Sequence, residues 1–246
     1  MVPNSVRATE IQRQYYSENA ARYEEMHAHE GSTDAFSMKF FHAILRMLDA
    51  KSVLDVGTAT GRNLRDLKEG LPHLSVCGVE PVAALVEQAI LKGNDAFGSI
   101  LQASGEKLPF SDASFDVVCE FAVLHHAHDP SAVAKEMLRV AKKAVFISDS
   151  NRFGQGSRAA RLIKLGLYKS RLWGIFNYLK TFGKGYLISE GDGLAYSYSV
   201  YDSFEEIAQW ADRMILIPSG NEKVSSWLHP LLTTSGVIVC ALREKG

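Results

Sequence analysis

Ser52–Leu67, SVLDVGTATGRNLRDL, is the stretch around which the chain is organised. Val53, Leu54 and Val56 form a short apolar run that reads as a buried parallel strand. The run contains Asp55 and breaks at Gly57, with a second glycine at Gly61. From Arg62 the period changes, and Leu64 and Leu67 fall on one face of a helix. Strand, tight turn and helix together predict the first βα unit of a nucleotide-binding sheet. Gly57 suits a backbone that turns sharply and comes close to a ligand, because no Cβ stands in the way. The helix N-terminus behind it would favour an anionic group.

The 246 residues suffice for one large α/β domain with a small cap. With 46% apolar and 22% charged residues, the chain falls among ordinary globular proteins. A net charge of −1 gives no global sign of nucleic-acid binding, and none is expected. No apolar run reaches a membrane span, and MVPNSVRATE lacks the apolar core of a signal peptide. Cys77, Cys119 and Cys240 each sit in an apolar, strand-like run without metal-type spacing. They read as buried free thiols in a reducing compartment, so a cytoplasmic protein is expected.

Residues 5–50 read as two helices, the second with a broad stripe of Phe36, Phe40, Phe41, Ile44, Leu45 and Leu48. They predict an N-terminal helical cap over 1–50, in which Tyr15 and Tyr23 are candidates to lie across a cofactor mouth. Strands are expected at 53–56, 74–79, 99–102, 115–121, 144–148, 214–218 and 236–242. Helices are expected at 82–91, 131–141 and 203–211. This alternation predicts an α/β fold: a Rossmann-like, doubly wound, mostly parallel seven-stranded sheet. The core then spans 51–246, with a helical lid insertion at about 151–200.

In such sheets ligands bind beyond the C-terminal strand ends, where strand order reverses. Glu80 closes the second strand and is stopped by Pro81. A carboxylate there can accept from both hydroxyls of a ribose. A dinucleotide loop would need a small residue in the sixth position of G-x-G-x-x-G, where this chain has Arg62, so a Rossmann-type oxidoreductase is disfavoured. Further on come Ser104-Gly105-Glu106-Lys107-Leu108-Pro109-Phe110, the strand Phe115–Phe121 and Val123-Leu124-His125-His126. In order and spacing, these blocks over about residues 50–150 resemble the class I S-adenosylmethionine-dependent methyltransferases, in their small-molecule branch.

The resemblance implies that Asp55, Gly57 and Gly61 shape a loop around the methionine part of S-adenosyl-L-methionine, with backbone contacts from Thr58 and Ala59. It implies that Glu80 holds the ribose. Ser104, Gly105 and Glu106 would line the adenine, and Phe121 or Ala122 would begin the wall facing the methyl group. Two departures stand out. Ala59 replaces the middle glycine of the loop, which is tolerable at negative φ and costly otherwise. Ser104 replaces the usual adenine-binding acid, with Glu106 a candidate to compensate. Together they keep open a second reading, a cofactor-binding but catalytically silent partner subunit.

Methyl transfer from a sulfonium is an in-line displacement in which the protein supplies alignment and, for some acceptors, a base. His125 and His126 follow the fourth strand, and Asp149 ends the fifth; these are the catalytic candidates. Between Asn151 and Leu187 there are eight Lys and Arg residues, Arg158 among them, and no acid. Aromatic and aliphatic residues are interleaved, and breaks are expected at Gly166 and Gly174. This basic lid suits an anionic or sugar-like small-molecule substrate with an oxygen acceptor, or contact with a membrane surface. Glu190-Gly191-Asp192-Gly193 reads as a shaped loop, and Glu190, Asp192, Tyr196 and Tyr198 are candidates for acceptor contact. No histidine or cysteine is spaced with these acids for a transition metal, so no metal is expected.

Overall fold

The computed structural model describes residues 4–27, 33–220 and 229–244. Residues 28–32, part of the span read as helical, lie outside these. The chain begins with α1 (Asn4–Asn19), α2 (Tyr23–His27) and α3 (Thr33–Met47). There follow β1 (Ser52–Val56), α4 (Arg62–Gly70), β2 (Ser75–Glu80), α5 (Ala83–Leu91) and β3 (Ser99–Gln102). After them come β4 (Phe115–Phe121), α6 (Pro130–Val140) and β5 (Ala141–Ser150). The insertion holds α7 (Arg158–Lys169), α8 (Trp173–Lys180), β6 (Tyr186–Ser189) and β7 (Gly193–Tyr196). The remainder is α9 (Phe204–Trp210), β8 (Arg213–Pro218), α10 (Pro230–Thr233) and β9 (Gly236–Leu242).

Seven strands form one sheet in the order β3-β2-β1-β4-β5-β9-β8. The first five in that order pair in parallel, and β9 runs antiparallel between β5 and β8. Side chains alternate across each strand and so sort the core into two layers. Leu54, Val118, Val145, Ile147, Val237 and Val239 join α6 and α9 on one face. Val53, Val117, Phe146, Ile238 and Cys240 meet Phe41 and Leu45 of α3 and Leu64 and Leu67 of α4 on the other. Phe146 is fully buried against Phe41, ring centroids 4.8 Å apart. The strand order reverses between β1 and β4, which opens a crevice at their C-terminal ends.

Local chemistry explains the boundaries. Asp129 accepts from Ala132 N–H at 3.0 Å and Pro130 opens α6, a start signal for a helix. Ser157 caps α7 in the same way. Two expectations need correction. Gly166 and Gly174 lie inside α7 and α8; the break falls between them at Arg171, whose φ is +60°. The segment read as a loop around Gly191 is the turn of a two-stranded hairpin, β6–β7, outside the main sheet.

Candidate active site

The loop after β1 is built to hold its own shape. Gly57 has φ +75°, and a Cβ there would lie 2.5 Å from a methyl of Val123. Gly57 and Thr58 N–H both donate to the Val79 carbonyl, at 2.8 and 3.0 Å. Ala59 N–H donates to Glu80 Oε2 at 3.0 Å, and Val82 N–H to Oε1 at 2.9 Å. The loop therefore offers close approach and shape, with the amides of Gly57, Thr58, Ala59 and Gly61 already paired. No residue of α4 lines the cavity described next, so the anion-favouring end of that helix is not part of its wall.

A cavity of about 180 Å³ lies at the strand-order reversal. Of the expected cofactor contacts, Tyr23, Gly57, Ala59, Glu80, Pro81, Ser104, Gly105, Glu106, Phe121 and Ala122 line it, as do His126 and Tyr196. Tyr15, Asp55, Thr58 and Gly61 do not. Tyr15 instead donates to the Glu190 carbonyl at 2.7 Å. Asp55 is buried below the loop, where Asn63 Nδ2 donates to it at 3.3 Å. Burial pushes its pKa up to about 6 and that of Glu80 up to about 7. Sequence reading passed over Thr9, Gln12, Arg13 and Tyr16, which line the cavity from α1. Their i, i+3, i+4, i+7 spacing was the available signal.

Ala59 has φ +48° and Ala122 φ +58°, so a left-handed alanine stands on each side of the crevice. Such a residue costs ~1–2 kcal/mol relative to glycine. For Ala59 the methyl is buried beside Val82 and Leu85, which returns ~0.8 kcal/mol. Ala122 is only half-buried. Ala122→Gly is expected to raise stability by about 1 kcal/mol and Ala59→Gly to leave it within about 0.5 kcal/mol. Urea unfolding of both variants checks this, and a loss of stability in Ala122→Gly would contradict it.

Beyond Phe121 and Ala122, two histidines meet two acids. His125 Nδ1 lies 2.7 Å from Asp149 Oδ1, and His125 N–H donates to Asp149 Oδ2 at 3.2 Å. His126 Nδ1 lies 2.7 Å from the Leu194 carbonyl, and Tyr16 Oη 3.1 Å from His126 Nε2. The hairpin turn brings Asp192 within 3.5 Å of His125 Nε2 and 3.3 Å of His126 Nε2. Burial opposes charge on His125, but Asp149 and Asp192 outweigh it and hold its pKa well above the usual value. Burial would likewise raise Asp192; its hydrogen bonds to both rings hold it well below the carboxylate range instead. Beneath them Glu120 is fully buried, and burial with the Asp149 charge pushes its carboxyl well up.

Residues 54–147 match the family model described as a methyltransferase domain. This segment is similar to class I methyltransferase domains. The demethylmenaquinone methyltransferase of Roseiflexus sp. (strain RS-1) is 33% identical over 89 residues, covering 36% of this chain and 37% of that protein. The chain thus matches little more than a third of that relative's length. Two solved structures share the fold. One is magnesium protoporphyrin IX methyltransferase from Synechocystis PCC 6803 with bound SAH, with TM-score 0.60, 15% identity and 96% and 99% of the two chains covered. The other is Burkholderia thailandensis 1,6-didemethyltoxoflavin-N1-methyltransferase, with TM-score 0.61, 13% identity and 97% and 90% covered.

Beyond the matched residues, the segment over 151–200 uses its cations differently from expectation. Arg158 does not line the cavity. Arg161 donates to the Gly156 and Thr233 carbonyls, both at 2.9 Å. Lys164 donates to the Arg152 and Gln155 carbonyls at 2.9 and 3.2 Å. Arg161 thus ties α7 to α10, and Lys164 ties α7 to the chain just before it. Tyr198, expected at the acceptor, is a core residue 3% exposed, with its hydroxyl 3.3 Å from Ser203 Oγ. Glu190 offers the cavity nothing, and its carbonyl is taken by Tyr15. Among the described residues, no helix is long and apolar enough to cross a membrane.

Proposed function

We propose that the chain transfers a methyl group from S-adenosyl-L-methionine to an oxygen of a small molecule. The observation that carries this reading is Glu80: a buried carboxylate at the end of β2, pinned by two backbone amides and lining the crevice of a methyltransferase-like domain. Ionised, it keeps a free lone pair on each oxygen, enough to accept from two ribose hydroxyls. Ser104–Glu106 would flank the adenine and Phe121–Ala122 the sulfonium. The acceptor would lie against Tyr16, His126 and Tyr196, which favours a hydroxyl-bearing ring, sugar-like or aromatic. A preference for anions loses support, because Arg161 and Lys164 are spent on backbone carbonyls. Calorimetry with S-adenosylmethionine, S-adenosylhomocysteine and NAD tests the reading. Micromolar binding of the first two and none of NAD is expected; no binding of S-adenosylmethionine at millimolar concentration would defeat it. A silent partner subunit would bind the cofactor yet release no S-adenosylhomocysteine with any hydroxylated acceptor.

The lid's outer face supports a second element of the reading, contact with an anionic lipid surface. Ile175, Leu179 and Phe182 are 62%, 68% and 93% exposed, and Lys169, Arg171, Lys180 and Lys184 are exposed nearby. Apolar side chains interleaved with cations and no acid suit an interfacial helix. The protein is expected to sediment with phosphatidylserine-containing vesicles and not with phosphatidylcholine alone. Leu179→Asp combined with Phe182→Asp should reduce that binding at least about fivefold. Equal binding of wild type and variant would remove the lipid contact.

A further inference from the structure

The cluster of His125, His126 and Asp192 has a geometry that an ion-pair relay does not require. Each imidazole has an oxygen 2.7 Å from Nδ1, Asp149 Oδ1 for His125 and the Leu194 carbonyl for His126, whose Nδ1 also lies 3.0 Å from Gln12 Nε2. An ion that displaces the Nε2 protons leaves the Nδ1 protons on these oxygens and meets both Nε2 lone pairs beside the Asp192 carboxylate, with Tyr16 Oη also 3.1 Å from His126 Nε2. An outer oxygen fixing tautomer and ring direction is the usual support of a metal-ligating histidine. The Nε2–Oδ separations are 3.5 and 3.3 Å. Ligands about 2.0–2.2 Å from one tetrahedral ion lie about 3.4 Å apart, so the spacing already suits a metal. The three donor atoms all lie within 4.8 Å of one another.

We propose that His125, His126 and Asp192 form a site for a divalent transition metal, Zn²⁺ or Fe²⁺, that opens onto the cavity. Two imidazoles and one carboxylate suit an ion of borderline softness that keeps a coordination position free. His126 and Tyr16 both line the cavity, so the free position faces the place assigned to the acceptor. Tyr16 Oη, 3.1 Å from His126 Nε2, is placed to hydrogen-bond an oxygen bound there. If the methyl-transfer reading holds, the ion would lower the pKa of an acceptor hydroxyl or enol; the metal site itself does not depend on that reading. The ligands come from two distant segments, the turn after β4 and the β6–β7 turn, so no sequence spacing announces them.

The test is titration of the chelator-treated full chain with Zn²⁺ by calorimetry and with Co²⁺ by visible absorption, without cofactor. One equivalent with micromolar or tighter affinity is expected, with the absorption bands of a low-coordinate cobalt ion. Asp192→Asn, in an exposed turn, and His126→Gln should each weaken binding at least about tenfold, and Asp149→Asn about tenfold through His125. Circular dichroism confirms that each variant is folded. Absence of saturable binding, or equal affinity in wild type, Asp192→Asn and His126→Gln, overturns the proposal. S-adenosylmethionine calorimetry on the same metal-free protein reads the cofactor site separately, so failure of one proposal is distinguishable from failure of the other.

Discussion

Glu80→Gln is expected to weaken S-adenosylmethionine binding by about 100-fold and to remove its pH dependence. Two hydrogen bonds from ribose to a charged acceptor are worth about 3 kcal/mol together, which is that factor in affinity. The amide would also turn an NH₂ toward one of the N–H groups of Ala59 and Val82 that now donate to the carboxylate. In the wild type, burial raises the Glu80 pKa to about 7. Below that pH one oxygen carries a proton and accepts less well, so the cofactor should bind about tenfold tighter at pH 8 than at pH 6. Stability of the ligand-free protein moves the other way. Folded Glu80 keeps its proton up to about pH 7, whereas the unfolded chain releases it near 4.5. Its contribution is fully present below pH 4.5 and is lost as pH rises through 7, a change on the order of 3 kcal/mol. Calorimetry and urea unfolding between pH 5 and pH 8 read both slopes. A pH-independent cofactor affinity in wild type would contradict the assignment.

Arg152→Met is expected to destabilise the protein by about 3–5 kcal/mol, lowering Tm by roughly 6–20 °C. Arg152 is 4% exposed and reaches through the base of the lid. Its guanidinium donates to the Ser197 carbonyl and to Asp202, and it lies over the rings of Phe153 and Trp173, 5.3 Å from each centroid. Burial lowers its pKa and raises that of Asp202, so desolvation weighs on both partners. The pair is thus a poor source of net stability, yet removing one member leaves the other stranded. Arg152→Met with Asp202→Asn should recover at least about 1 kcal/mol relative to the single variant. A loss below about 1 kcal/mol in Arg152→Met would show that the lid does not depend on this pin.

How far the sequence could be read follows from the range of the interactions involved. The sheet was legible because its determinants are local: short apolar, β-branched runs, and helix starts such as Asp129-Pro130. The loop and Glu80 were legible because motif order preserves their place at strand ends. The lid was legible only as composition. Nothing in a run of cations tells Arg152, buried and paired, from Lys180, exposed, because that depends on where Asp202 and Ser197 arrive. Tyr198 misled for the same reason: its i+2 neighbour Val200 and its own ring fill the core, while Tyr196 turns toward the cavity. The His125–His126–Asp192 cluster was invisible, being assembled by a hairpin that the Gly-rich turn concealed.

The contacts of α1 have one more consequence. Gln12 lines the cavity and also accepts from Leu194 N–H at 2.5 Å, while Tyr15 holds the hairpin turn. Filling the cavity and docking this helix onto the hairpin are therefore linked equilibria, and the coupling is reciprocal. A ligand that favours the docked helix gains affinity by the factor by which it stabilises docking, and any change that loosens the helix forfeits the same factor. Slower amide exchange along α1 in the presence of ligand measures that factor directly.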